Sequence, residues 1–219
     1  MAHEIISIKK AAETKVTVAF LDTKLLLSFD IVYRFQLRSG DILTDAVYEE
    51  LLAESNKHRV YESALRFIER RMHSRFELYR KLIKKNYEKQ LVNETLQKLT
   101  GESLLNDKIF AEKYSADAYY HKRFGKNKIR LMLRQRGIDS KIADAAIDLI
   151  HEDESDEEPP LLIAAKKKLK QLQSRNTPEQ ESSKKLISYL LQRGYTFYEI
   201  KEVMKILNSA AVDENMFEE

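Results

Sequence analysis

Three short blocks with one chemistry recur along this chain: Leu82-Ile83-Lys84-Lys85-Asn86-Tyr87, Leu133-Arg134-Gln135-Arg136-Gly137-Ile138 and Leu191-Gln192-Arg193-Gly194-Tyr195. Each passes from an apolar helix end through one or more basic residues to Asn or Gly, and then to one large apolar residue. Asn and Gly accept the left-handed backbone that closes a helix. Basic side chains suit the negative end of the helix dipole, and the apolar residue folds back onto the last turn. Each block is therefore a helix stop. Nine residues after Tyr87, Ile138 and Tyr195 stand Leu96, Ile147 and Met204, and twelve after them stand Leu99, Ile150 and Leu207. That spacing lays an apolar stripe along one helix face. A period of about fifty residues is long for a two-helix solenoid unit and leaves room for three short helices. The expected fold is mainly α: three tandem three-helix repeats in an elongated array, with a small N-terminal β-hairpin/α cap.

Composition narrows the class. One-third of the 219 residues are charged, and only five Gly and three Pro punctuate them, which favours long helices. No apolar run approaches the roughly twenty residues of a membrane helix, and Met1 to Glu13 lacks a signal-peptide core. Without cysteine there are no disulfides and no thiolate metal sites. The expectation is a cytoplasmic monomer that does not engage a membrane.

Along the chain, Val16, Val18 and Phe20 alternate with Lys15, Thr17 and Ala19, an Asp22-Thr23 turn follows, and Leu25-Leu26-Leu27 resumes. This predicts a hairpin over Thr14 to Ser28, with Ile5 to Ile8 as a third strand. Ile31 to Leu37 reads as helical, Arg38-Ser39-Gly40-Asp41 breaks it, and Thr44 opens a helix through Leu52. In the first copy a helix is expected from Val60 to His73. Ser74 with Glu77 boxes the next, to Lys85, and a third runs to Leu99. The second copy is expected over Asp107 to Tyr120, with Asn106 as N-cap, then Lys126 to Arg136 and Asp139 to Ile150. The third starts at Leu161; Thr177-Pro178-Glu179-Gln180 supplies a capping box with proline at the first helical position, and Thr196 with Glu199 boxes its last helix. The acidic, proline-ended stretch Glu152 to Pro160 reads as a linker, and Asp213 to Glu219 as a frayed acidic tail. The expected division is 1–56 mixed β/α cap, 57–102 first repeat, 103–151 second repeat, and 152–219 acidic linker, third repeat and tail.

Charge is concentrated in the first two copies. Lys57 to Ile150 holds 22 Lys plus Arg against 12 Asp plus Glu, so the rest of the chain is acidic. The sharpest cluster is Ala118 to Ile138, where Lys122, Arg123, Lys126, Lys128, Arg130, Arg134 and Arg136 occur with no acid. On a helix, Lys126, Arg130 and Arg134 form one stripe at i, i+4 spacing while Ile129, Met132 and Leu133 face the core. Such a stripe suits phosphate or a carboxylate-rich protein surface, and its plainer alternative is a solvated helix face. Arg70, Arg71, Lys81, Lys84 and Lys85 of the first copy form a second candidate group. Tyr119, Tyr120 and Phe124 could stack on bases but are better read as core. His3, His58, His73, His121 and His151 show no metal-ligand spacing. With no Gly-rich phosphate loop, nucleophile elbow or clustered carboxylate pair, the chain has no visible catalytic, cofactor or metal site.

Ala64-Leu65 with Arg70-Arg71, Ser74, Glu77-Leu78 and Lys81-Leu82, then Leu104-Leu105-Asn106-Asp107 with Phe110-Ala111, then Gly125 with Ile129-Arg130, Leu133 and Gly137-Ile138, resemble the RecX regulatory proteins of bacteria. The resemblance covers about Val60 to Ile150, and the third copy only through its helix stop. Asn86 stands where a glycine is usual, Asn106 where an aspartate is common, and Met132 where the family often has glutamate. The first two changes keep the capping chemistry. The third removes an acid from the basic stripe, and with it any salt bridge the family makes there. The resemblance implies a non-enzymatic modulator that lies along the filament of the recombinase RecA on DNA and inhibits its ATP hydrolysis and strand exchange in recombination and repair. ATP would then be bound by the partner, and the basic face would meet RecA, single- or double-stranded DNA, or both. The rival is a helix-turn-helix-like regulator that places Lys126 to Arg136 in a DNA groove.

Overall fold

The computed structural model describes residues 3–150 and 158–216, with side chains as far as residue 208. It separates into two compact units, Met1–Leu105 and Asn106–Glu219. Among the described residues there are ten α-helices, a short π-helical turn and five strands.

In the first unit, β2 (Ser7–Ala12), β3 (Lys15–Ala19) and β4 (Lys24–Ser28) form an antiparallel meander. The hairpin is the expected one. Val16 pairs with Leu27 and Val18 with Leu25, so strand alternation brings four apolar side chains to one face. They close a core with Ile5, Phe20, Leu37 and Leu51. The third strand lies further along than expected, over Ser7–Ala12, and Ile5 instead sits in the core between two short pairings. β1 (His3–Glu4) pairs with β5 (Ile42–Leu43). That second sheet arises at the Arg38 to Asp41 break, where Gly40 at φ +91° donates its N–H to the Ile5 carbonyl at 2.7 Å. Helix α1 (Phe29–Arg34) is shorter and earlier than the expected Ile31 to Leu37, because Ser28 accepts from the Ile31 N–H and caps it.

Helix α2 (Asp45–Ile68) corrects the sequence reading: the two helices expected at Thr44 to Leu52 and Val60 to His73 are one helix of 24 residues. Its buried face passes through Ser55 and Ser63. Small hydroxyl residues at those positions dim the apolar periodicity without breaking the helix. It ends before His73, and α3 (Arg75–Ile83) and α4 (Lys89–Gly101) complete the set. Ser74 caps α3 as expected, accepting from the Glu77 N–H at 3.1 Å. Val60, Ala64, Leu78, Leu82, Val92, Leu96, Leu99 and Leu105 form the core of this set.

The second unit holds two more sets. Helix α5 (Asp107–Ala116) is capped by Asn106, which accepts from the Lys108 and Ile109 N–H groups. It ends earlier than the expected Tyr120, because the chain widens into a π turn over Asp117–His121. Helices α6 (Lys126–Gln135) and α7 (Ser140–Ile150) follow, around Phe110, Ala111, Ile129, Leu133, Ala146 and Ile147. Then come α8 (Pro160–Gln173), α9 (Glu179–Gln192) and α10 (Phe197–Met216), around Leu161, Ala165, Leu186, Leu190, Tyr195, Ile200 and Val203. The Thr177 capping box is not formed: Pro178 is the N-cap, and no side chain caps α9. The Thr196–Glu199 box is formed in both directions, at 2.6 and 3.2 Å. Residues 152–157 of the expected linker, His151, and residues 217–219 of the expected tail lie outside the described residues, while residues 213–216 continue α10.

All three helix stops are formed, with Asn86, Gly137 and Gly194 at φ +61°, +72° and +88°. The same left-handed device recurs, unanticipated, at Gln36, Ser103, Arg123 and Asn176. The downstream stripes also hold in the first two copies, where Leu96, Leu99, Ile147 and Ile150 are buried. In the third the stripe is displaced: Ile200 and Val203 take the centre, and Met204 and Leu207 pack at the margin.

Candidate partner-binding surface

The basic stripe starts from a helix that packs one face only. Ile129 and Leu133 are fully buried, four residues apart, and direct α6 toward α7 and the π turn. Lys126, at the first turn of α6, and Arg134, two turns later, are exposed and make no ion pair among the described residues. Arg130, expected between them on the same exposed stripe, is instead half-buried, and its Nε donates to Asp144 of α7 at 2.6 Å. The unopposed positive charge of the sequence window does not survive folding, because acids outside it arrive from neighbouring segments. Lys122 likewise reaches Asp117 at 2.5 Å across the π turn.

The remaining cations of this group are structural in their contacts. The Arg136 guanidinium lies over the Tyr114 ring at 4.4 Å and donates to the Met132 carbonyl at 2.8 Å, closing the end of α6. Lys128 is half-buried against the turn at Gly194. Arg123 sits left-handed at φ +55°, with its Nε buried and without a hydrogen-bond partner. Tyr119 and Phe124 pack against the core, as expected of them. The Tyr120 hydroxyl donates to the Ile150 carbonyl at 2.9 Å.

In the first unit the second basic group divides in the same way. Arg70 and Lys84 are exposed and unpaired among the described residues. Arg71 is held by Glu77 at 2.9 Å and by the Met72 carbonyl. Lys81 and Lys85 lie over the Phe67 ring at 4.8 and 5.0 Å, and Lys85 also donates to Ser63. The Lys81 ammonium donates to Nε2 of buried His73 at 2.6 Å. An ammonium has no lone pair, so that nitrogen must be the acceptor. His73 is therefore neutral and carries its proton on Nδ1, which donates to the Arg71 carbonyl at 2.9 Å. Burial holds the His73 imidazole below its ordinary range and lowers the Lys81 ammonium as well. The turn between α2 and α3 is thus locked by a neutral histidine between a lysine and a backbone carbonyl. Sequence spacing gave His73 no role; its place directly before the Ser74 cap was the signal available.

No group of His, Asp or Glu among the described residues could hold a metal ion. Among the described residues, no helix is long and apolar enough to cross a membrane.

Two family models match the helical sets just described. One, described as the first three-helix domain of RecX, covers residues 61–99, and the other, the second three-helix domain of RecX, covers residues 106–147. The regulatory protein RecX of Chlorobium limicola is 33% identical over 153 residues, spanning 70% of this chain and 92% of that protein. The chain belongs to the RecX family. Regulatory protein RecX of Clostridium tetani is 26% identical over 203 residues, 92% of each protein, so the likeness reaches beyond the two matched domains. A crystal structure of a regulatory protein RecX aligns with a TM-score of 0.68 at 20% identity, over 94% of this chain and 99% of that one. That of RecX from Lactobacillus salivarius aligns at 0.58 and 23% identity, over 70% and 97%. Both show likeness of fold. RecX is a family of regulatory proteins, and its three-helix domains here are the sets α2 to α4 and α5 to α7.

Proposed function

We propose that this RecX protein is a non-enzymatic, cytoplasmic regulator that binds the RecA filament and restrains its ATP hydrolysis and strand exchange during recombination and repair. The observation that carries the reading is that Lys126 and Arg134 of α6, in a domain matched to RecX, are exposed and make no ion pair among the described residues. Arg70 and Lys84 of the first three-helix domain supply a second point of the same chemistry. Cations left without acids after folding are the ones free to meet filament carboxylates or DNA phosphates. Several modest contacts carried on tandem domains add through their shared chain. The division into a cap over 1–56, basic repeats over 57–102 and 103–151, and an acidic linker, third repeat and acidic tail over 152–219 belongs to this proposal.

The test is binding to free single-stranded DNA and to a preformed RecA filament at matched salt. Clearly tighter binding to the filament supports the regulator. Equal affinity for both, with the steep salt dependence of phosphate neutralisation, would support a direct DNA binder.

A further inference from the structure

The third helical set grips the second where the basic helix begins. Two of the chain's five glycines meet there. Gly125 is the N-cap of α6 and has no side chain with which to cap it. Its own N–H donates to the Arg193 carbonyl at 2.8 Å, and the Asn127 N–H, an orphan donor of the first turn, donates to the Gly194 carbonyl at 3.3 Å. A Cβ on Gly194 would stand 2.3 Å from the Lys128 nitrogen, and one on Gly125 would stand 2.5 Å from the Gly194 oxygen. Only glycine permits this approach of two backbones.

Arg193 completes the joint. Its guanidinium lies between the rings of Phe124 at 5.2 Å and Tyr189 at 4.9 Å. Its Nη1 donates to the Lys122 carbonyl and, at 3.0 Å, to the Arg123 carbonyl, which also accepts from the Tyr195 hydroxyl at 3.1 Å. Those carbonyls close the π turn, at the point where Arg123 is left-handed. A helix stop explains the positive φ of Gly194. It does not explain why Gly194 abuts Lys128, or why Arg193 reaches across to the other set.

We infer that the Arg193-Gly194-Tyr195 turn is a positioning device: the third helical set caps α6 of the second and fixes the direction in which Lys126 and Arg134 are presented to the partner. Arg193 and Gly194 are positioning residues, acting through α6. The inference rests on the proposed function only for its effect on binding; the capping stands apart from it.

The test compares full-length Arg193→Ala, Arg193→Lys and Gly194→Ala with the wild type, reading amide hydrogen exchange at Gly125 and Asn127 and affinity for RecA filaments on single-stranded DNA. All three variants should exchange tenfold or more faster at those two amides, with Ile147 in α7 unchanged, and bind several-fold more weakly. Arg193→Ala leaves the backbone free of strain and carries the test if Gly194→Ala does not fold. Unchanged exchange in Arg193→Ala would overturn the joint. Faster exchange with wild-type affinity would overturn the positioning role, and so would full recovery of affinity in Arg193→Lys, which would make Arg193 a direct charge contact. A Lys126→Glu, Arg134→Glu control should lose affinity at wild-type exchange. If it binds normally, the proposed surface fails, while the exchange data still decide the joint.

Discussion

Arg130 and Arg134 are one turn apart on the same helix, yet the fold gives them opposite tasks. Arg134 is exposed and makes no ion pair among the described residues, while Arg130 is held by Asp144. Reversing Lys126 and Arg134 together should therefore weaken filament binding by up to about thirtyfold, at up to about 1 kcal/mol per exposed contact, and leave the unfolding midpoint unchanged. Arg130→Glu should instead lower stability by setting two carboxylates against each other. Parallel binding and urea titrations separate the two, and a triple variant that includes Arg130 would confuse them. His73 gives a second residue-scale expectation. Its folded imidazole protonates at lower pH than an unfolded one, so the unfolded chain takes up the extra proton first as pH falls below about 6.5. Stability should thus drop between pH 7 and 5. His58, which burial also holds low, adds to the loss. His73→Gln, which does not titrate and can both donate and accept, should flatten part of that slope in urea midpoints taken across the range. An unchanged slope would mean that His73 is not held neutral.

At the scale of elements, the helix stops were the legible part, because a left-handed Asn or Gly flanked by basic and apolar residues has one backbone solution. Helix α2 was not legible: Ser55 and Ser63 fill buried positions where a sequence reading looks for Leu or Val. Lys57→Pro decides the matter. In an uninterrupted helix it removes a hydrogen bond and collides with the preceding turn, at a cost of about 3 kcal/mol or more. In a linker between two helices it would be tolerated, and urea denaturation reads the difference. The π turn escaped prediction because one added residue per turn leaves no compositional trace. The basic face was half legible: its cations were found, but Asp117 and Asp144, which neutralise two of them, come from outside the acid-free stretch. The bridging role of Arg193 was hidden behind its ordinary role beside a helix stop.

At the scale of the whole molecule, a chain of the RecX family presents exposed cations that make no ion pair among the described residues. A filament regulator of the proposed kind acts by where it binds, since one molecule placed at a growing end or across neighbouring protomers affects more subunits than it touches. A competitor for DNA must instead cover the DNA in order to deny it. The direct measurement is a titration of this protein into RecA hydrolysing ATP on single-stranded DNA, repeated with excess free single-stranded DNA. Hydrolysis is expected to fall at ratios well below one molecule per RecA and to stay suppressed when the extra DNA is present. Inhibition that requires near-stoichiometric protein and vanishes in proportion to the added DNA would contradict filament regulation.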